Sequence, residues 1–331
     1  MIGELKNGFG DERGAALLVV LLLVATLAFV AISITQTSRV SVVRSANDRS
    51  QTEGLWVAFG AETLARTALE TISGAGSEKF TRDDPRTAQP TVIPFDDGTA
   101  RVAFTDNTGC FNVNSLTSGT NDKTQRVEEF TRLVAFLGLG QFEGERIANV
   151  IGDWIDENTL RDQQGAEDDF YTRQDVPYRT GGVPVSDISE LRAMRDIDRS
   201  IYGRLKPVLC AHPDADPSII NVNMLQVSDA PVLATLFVKI PNKRLGLADA
   251  ETIIAAYPAQ GYDDINDFCA QAPLREQACP EIIADRLSVR SKYILAQGEV
   301  AYDRTTIEMT TLFRLDENRV QFIRRRLGAS E

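Results

Sequence analysis

Residues 12–34 read ERGAALLVVLLLVATLAFVAISI. From Ala15 to Ile34 no charge interrupts the run. As a helix with about 1.5 Å of rise per residue, this run reaches about 30 Å, one bilayer hydrocarbon core. It is longer than the apolar core of a secretory signal, and no small-x-small cleavage site follows it. The stretch therefore predicts a transmembrane helix that stays with the protein. The plainer alternative is an ordinary N-terminal signal anchor.

Downstream, the helical period persists. Leu55, Ala58, Ala61, Ala65, Ala68 and Ile72 recur every three or four residues and make one apolar stripe. Gly74-Ala75-Gly76 closes the helix. Residues 15–74 are thus expected to form one helix, with a membrane half (15–34) and an amphipathic half (35–74). The stripe reads as packing against a sheet.

Sheet signals follow in two places. Within residues 75–114, Val92-Ile93-Pro94-Phe95 and Thr99 to Phe104 flank an Asp97-Gly98 turn and predict a hairpin. Cys110 to Asn114 adds a short strand. Within residues 289–331, Tyr293 to Ala296, Thr305 to Phe313 and Val320 to Ile323 predict three more strands. Between them the period is helical. Residues 115–206 hold helices over 126–137 and 143–155, an acidic loop over 156–185, and short helices over 187–195 and 200–205. Residues 207–288 are a second helical segment. There, Asp249 to Tyr257 and Gly261 to Phe268 resemble a helix-hairpin-helix, or SAM-like, unit. Phe111-Asn112-Val113-Asn114 is echoed by Ile220-Asn221-Val222-Asn223, which suggests two equivalent strand-to-helix junctions with Asn as cap. The expected class is α+β: a long helix on an antiparallel sheet, with a large helical insert.

Composition narrows the chemistry. The formal net charge is −12. Such a surface repels phosphates and argues against nucleic acid. The hairpin-like unit carries Asp263, Asp264 and Asp267 and no Lys or Arg. The one histidine, His212, lies in Ala-His-Pro and is expected in an exposed turn. With a single imidazole, Ser-His-Asp catalysis and multi-His zinc sites lose their basis. No nucleophile with a His base and no Gly-rich phosphate loop is visible, so the chain reads as a non-enzyme. Cys110, Cys210, Cys269 and Cys279 lie outside the apolar run, and their even number suggests disulfides in an oxidising compartment. Three pairings are possible. The short span Cys269–Cys279 is preferred, which leaves Cys110–Cys210.

What precedes the apolar run makes it more specific. Residues 1–14 are polar, with Glu4, Lys6, Asp11, Glu12 and Arg13, and end in Gly14. A glycine between a charged leader and an unbroken apolar helix resembles the type IV prepilin signal. Later come Asp153-Trp154-Ile155-Asp156, then Gly165-Ala166-Glu167 with Tyr171, Pro177-Tyr178-Arg179, Glu190-Leu191 and Asn221-Val222-Asn223. In that order, and with Val19 where most pilins carry Glu, the chain resembles the K-type minor pseudopilin family of type II secretion systems.

The resemblance implies a mode of processing and a place of action. A prepilin peptidase would cut after Gly14, and Ala15 would become a methylated N-terminus. The protein would span the bacterial inner membrane once, with its large domain in the periplasm. It would sit at the pseudopilus tip, assemble with I-type and J-type minor pseudopilins, help start the filament and support protein export. The missing Glu suits a tip subunit, because a carboxylate in lipid needs a partner from a neighbouring subunit. The family also implies calcium. Counted from Asp156, residues Asp156, Asn158, Asp162 and Glu167 fall at positions one, three, seven and twelve of an acidic loop. It is not an EF-hand, since Arg161 stands where the turn glycine belongs. Asp156, Asn158, Glu167 and Asp168 are the preferred ligands. The rival readings are a minor pilin for DNA uptake and a signal-anchored periplasmic protein, including a membrane-anchored enzyme.

Overall fold

The computed structural model describes residues 12–74, 79–84, 89–117, 123–237, 245–276, 279, 283–316 and 319–328. The leader residues 1–11 lie outside these.

Helix α1 runs unbroken over Glu12–Gly74. Its apolar part has a mean hydropathy of 3.1 over its best window, none of it buried, so α1 is long and apolar enough to cross a membrane. Residues 35–49 are also exposed. The first residue covered by the rest of the chain is Ser50, which donates to Asp303. From there Ala58, Ala61, Ala65, Leu69 and Ile72 are buried against the sheet. The stripe read from sequence is therefore correct up to Ala65. It then passes through Leu69, while Ala68 faces out.

The sheet has five antiparallel strands in the order β1-β2-β7-β8-β9. These are β1 (Thr91–Phe95), β2 (Gly98–Asp106), β7 (Tyr293–Tyr302), β8 (Thr305–Asp316) and β9 (Arg319–Leu327). The β1–β2 turn is Asp96-Asp97, and Gly98 already pairs with Phe95 as the first residue of β2. This corrects the expected Asp97-Gly98 turn. A Cβ on Gly98 would lie 1.9 Å from the Ala301 carbonyl oxygen, so the glycine serves the close approach of β7. Arg325 of β9 closes over α1: its Nε donates to Glu62 at 2.8 Å and its guanidinium stacks on Phe59.

Strands β2 and β7 are neighbours, with Asp106 paired to Ile294. Everything between them is an insert in what would otherwise be a hairpin. The β7–β8 turn at Asp303 lies beside Ser50, so the insert leaves from the opposite end of β7. At about 3.3 Å per residue that is about 33 Å further from the apolar end of α1.

The insert is built twice. The first copy runs from β3 (Phe111–Asn112) through α2 (Lys123–Phe136), α3 (Gln141–Ile155), α4 (Asp168–Tyr171) and α5 (Arg199–Leu205) to β4 (Leu209–Cys210), which pairs with β3 in parallel. The second runs from β5 (Ile220–Asn221) through α6 (Ala230–Thr235), α7 (Leu247–Ala255), α8 (Ile265–Cys269) and α9 (Ala272–Glu276) to β6 (Leu287–Ser288), again parallel. In each copy the first Asn of Asn-Val-Asn accepts from the N–H of the second: Asn114 to Asn112 at 3.3 Å and Asn223 to Asn221 at 3.0 Å. The second Asn then acts as a strand partner. The Asn114 amide bonds both the N–H (2.8 Å) and the C=O (2.9 Å) of Val185. The Asn223 amide does the same with Tyr262, at 2.7 and 3.1 Å. A short Asp-capped helix follows each bridge, with Asp187 and Asp264 as caps.

Both copies share one core, which includes Phe130, Ile147, Ile151, Leu233, Phe237 and Ile253. Arg286, beside β6, reaches back to Glu129 of α2, which also pairs with Arg126 at 2.6 Å. Cys110 and Cys210 are disulfide-bonded where the first copy is entered and left, and Cys269 and Cys279 are bonded in the second.

His212 departs from its expectation. It is 1% exposed, stacked on Tyr293 with ring centroids 4.0 Å apart, and its Nε2 lies 2.7 Å from the Asn107 carbonyl. Burial pushes its pKa down to about 4, so it is neutral at physiological pH.

Candidate metal centre

The two copies differ most at one loop. In the second, residues 256–261 join α7 to the Tyr262 bridge. In the first, residues 156–184 join α3 to the Val185 bridge, and they contain the acidic stretch.

The end of α3 carries Trp154 and Ile155 into the core and leaves Asp153 enclosed beneath the loop, with no exposed surface. Both Asp153 carboxylate oxygens accept from the Asp162 N–H, at 3.1 and 3.2 Å. A Cβ on Gly165 would lie 2.0 Å from Asp153 Oδ2, so a larger residue there would have to push this carboxylate aside. Burial raises the Asp153 pKa to about 6, and repulsion from Asp162 and Asp156 adds to it. Glu167 is 3% exposed, and neither of its carboxylate oxygens has a hydrogen-bond partner. Burial raises its pKa to about 7, reinforced by Asp153 and Asp156. Asp156 is itself buried and accepts from the Asn158 N–H at 3.2 Å.

Two of the four preferred ligands, Asp156 and Glu167, are therefore drawn together, and Asp153 joins them. The other two are engaged elsewhere. Asn158 Oδ1 accepts from the Leu160 N–H at 2.7 Å. Asp168 Oδ1 accepts from the Thr180 N–H and Oγ1, both at 2.9 Å, and Oδ2 faces Arg179 at 3.3 Å. The Thr180 N–H holds the Asp168 pKa below the ordinary carboxylate range. Asp153 reads from sequence only as a further oxygen beside the loop, not as a preferred ligand, because it lies in the helix before it. Its signal is a carboxylate set among Ile151, Trp154 and Ile155 in an apolar last turn.

Aromatic rings wall the cluster. Trp154 meets Tyr171 edge-on at 5.3 Å, and Tyr171 lies 5.2 Å from Tyr178. The arrangement suits a hard divalent cation. Asp153 and Glu167 have their ionisation suppressed by burial, with Asp156 near enough to repel both, and both oxygens of Glu167 are buried without a donor. Such oxygens cost free energy unless a proton or a cation meets them. Among the described residues, the metal-ligand atoms that lie within 4.8 Å of one another as a group of three are those of Cys110, Cys210 and His212. Their sulfurs are bonded to each other, so they offer no thiolate to a metal.

A helix long and apolar enough to cross a membrane, continuing onto an antiparallel sheet with a double helical insert at its far end, defines a pilin-like fold. Segments 109–214 and 220–290, which correspond to the two copies, both match the family described as Type II secretion system (T2SS), protein K. The chain is 31% identical to the type II secretion system protein K of Pectobacterium carotovorum, over 96% of this chain and 97% of that one. It is 29% identical to the protein of the same name from Pseudomonas aeruginosa, over 96% and 93%. It is also similar to a solved chain of the GspK–GspI–GspJ complex from enterotoxigenic Escherichia coli. That match has a TM-score of 0.74 and 27% identity, and covers 87% of this chain and all of that one. The chain belongs to the type II secretion system protein K family.

Proposed function

We propose that this chain is a minor pseudopilin at the tip of a type II secretion pseudopilus. There it assembles with I-type and J-type minor pseudopilins, starts the filament and supports protein export across the outer membrane. The reading is carried by similarity to type II secretion K proteins over 96% of the chain, including its membrane helix. Partnership with the I and J types is supported by the relative solved as a GspK–GspI–GspJ complex. A prepilin peptidase cuts after Gly14, Ala15 becomes the methylated N-terminus, and α1 anchors the protein in the bacterial inner membrane with its large domain in the periplasm. With Val19 in place of Glu, the membrane helix buries no carboxylate and needs no neighbour to neutralise one. That suits the last subunit of a filament. The double insert, at the end of the sheet away from the membrane, suits a cap.

Calcium is the proposed resident ion, held by Asp153, Asp156 and Glu167. When bound, it would neutralise the cluster and fix the loop over α3. The role is mechanical rather than enzymatic. The sole histidine is buried, neutral and hydrogen-bonded, so it is no general base. Nucleic acid is not a partner. In the hairpin-like unit Asp264 caps α8, and the neighbouring Asp263 and Asp267 would repel phosphates.

The test is co-isolation. The full-length chain, expressed with the I-type and J-type proteins of the same system, should leave the membrane in detergent as a complex of all three. Recovery of the chain without either partner, when those two still associate with each other, refutes the assignment.

A further inference from the structure

We infer that the solvent-facing ridge of α1 beyond the apolar run seats an amphipathic helix rising from the same membrane, the counterpart of α1 in one partner pseudopilin, with Trp56 as its anchor and Gly60 as its notch. The inference rests on the pseudopilin reading above. Trp56, Gly60, Leu64 and Ala68 follow one another at steps of four residues, which aligns them in one ridge. All are exposed, Trp56 at 69% and Leu64 at 53%. A second row runs beside it. There the hydroxyls of Thr63, Thr67 and Thr71 donate to the carbonyls of Phe59, Thr63 and Thr67, at 2.9, 3.1 and 2.9 Å, so their polar groups are satisfied within the helix. Neither row carries a charge, although the chain has a net charge of −12. Arg66 and Glu70, on the flank, pair with each other at 3.2 Å. A contiguous uncharged face of this kind marks an interaction surface.

Gly60 gives the surface its shape. Glycine is a poor residue for the middle of a helix, and a Cβ on Gly60 would meet nothing within 4 Å. Gly54, in the same helix, has its reason inside the chain, because a Cβ there would lie 3.0 Å from Ile307 Cδ1. The gap at Gly60, between the side chains of Trp56 and Leu64, is a hole into which a side chain of a second helix fits. Trp56 is held for such a contact. It meets Phe59 edge-on at 5.8 Å, and the Arg325 guanidinium lies 4.3 Å from the Phe59 ring and 5.2 Å from that of Phe322, which is 47% exposed. Trp and Arg are the side chains that most often anchor interfaces. Two arguments favour a helix from the same membrane over a soluble protein. The ridge continues an apolar run that is itself bare, so a helix leaving the membrane beside α1 reaches Trp56 after about 33 Å without turning. With so few side chains, the ridge also falls short of the roughly 800 Å² per partner of a stable interface, so it suits a partner that the membrane already holds alongside.

The experiment uses the full-length chain in detergent with the I-type and J-type proteins of the same system. Gly60→Leu fills the notch and Trp56→Ala removes the anchor. Ala68→Cys gives the ridge one exposed thiol, since the native cysteines are all paired. The expected result is complex formation at least tenfold weaker in Gly60→Leu and in Trp56→Ala. Maleimide labelling of Ala68→Cys should be at least about tenfold slower in the complex than in the free chain. The thermal midpoint of the free chain should not fall in Gly60→Leu, because leucine is the better helix residue and the site is open; a merely structural glycine would lower it. Wild-type affinity in Gly60→Leu, or labelling in the complex as fast as in the free chain, overturns the ridge and leaves the pseudopilin reading standing. Protection that appears only when an exported protein is added overturns the helix as the occupant. A wild-type chain that binds neither partner removes that reading and this inference together.

Discussion

Asn114→Ala probes the bridge that each copy of the insert repeats. Asn114 is fully enclosed and makes three bonds with backbone groups: to Val185 N–H at 2.8 Å, Val185 C=O at 2.9 Å and His212 C=O at 2.7 Å. Alanine removes all three and strands the backbone partners. A net hydrogen bond contributes about 1 kcal/mol, and a stranded buried group costs about 1–3 kcal/mol. The three together amount to about 3–5 kcal/mol, reduced where water enters the vacated space. At about 2–4 °C per kcal/mol for a unit of this size, the midpoint should fall by about 10 °C. Asn223→Ala loses only the two bonds to Tyr262, so its cost should be about two thirds as large. The assay is thermal unfolding for the midpoint and urea unfolding for the free energy, both followed by tryptophan emission. Trp154 is 7% exposed and reports the insert, whereas Trp56 is 69% exposed when folded and changes little. A cost for Asn114→Ala below about 1 kcal/mol would show that the Asn bridge does not hold the copy together. A larger cost at Asn223 than at Asn114 would refute the bond count itself.

In metal-free protein two groups give stability opposite dependences on pH. Glu167 and Asp153 have folded pKa values raised to about 7 and about 6, so their contribution is fully present below their unfolded values near 4 and is lost as pH rises through 6 to 7. Glu167→Gln should therefore raise the chelator midpoint at pH 8 and leave it nearly unchanged at pH 4, and added calcium should remove the gain. His212, lowered to about 4, loses stability as pH falls from about 6.5 to about 4, and His212→Phe should flatten that limb. Replacing the Cys110–Cys210 pair by serines opens a span of 100 residues, which chain entropy puts at about 4.7 kcal/mol. The span of 10 closed by Cys269–Cys279 corresponds to about 2.7 kcal/mol, so urea midpoints should rank the two. Gly165→Ala should displace the Asp153 carboxylate and weaken terbium binding at least tenfold with the circular dichroism of the insert unchanged.

What could be read from the sequence was what depends on near neighbours. The long apolar helix needed only an unbroken apolar run. Strands β7 to β9 needed only alternation. What escaped depends on residues far apart in the chain. Gly98 carries a turn's signature, yet its reason is the Ala301 carbonyl on β7. His212 carries a loop's signature, yet Tyr293 stacks over it and the Asn107 carbonyl binds it. The repeated Asn-Val-Asn was visible, but its meaning lies in Val185 and Tyr262, which share no sequence feature. In the acidic loop, sequence spacing could not separate carboxylates that turn inward, Asp156 and Glu167, from Asp168, which accepts from the Thr180 N–H and hydroxyl. Nor could it rank Asp153, one of several further carboxylates beside the loop, above the rest.

The central claim is that the chain is processed and assembled as a pseudopilin. Its most direct test is the intact mass and N-terminal sequence of the membrane-bound protein, made with and without an active prepilin peptidase. The account predicts a chain that begins at methylated Ala15 only when the peptidase is present. A chain that keeps residues 1–14 beside a correctly processed control prepilin would contradict it.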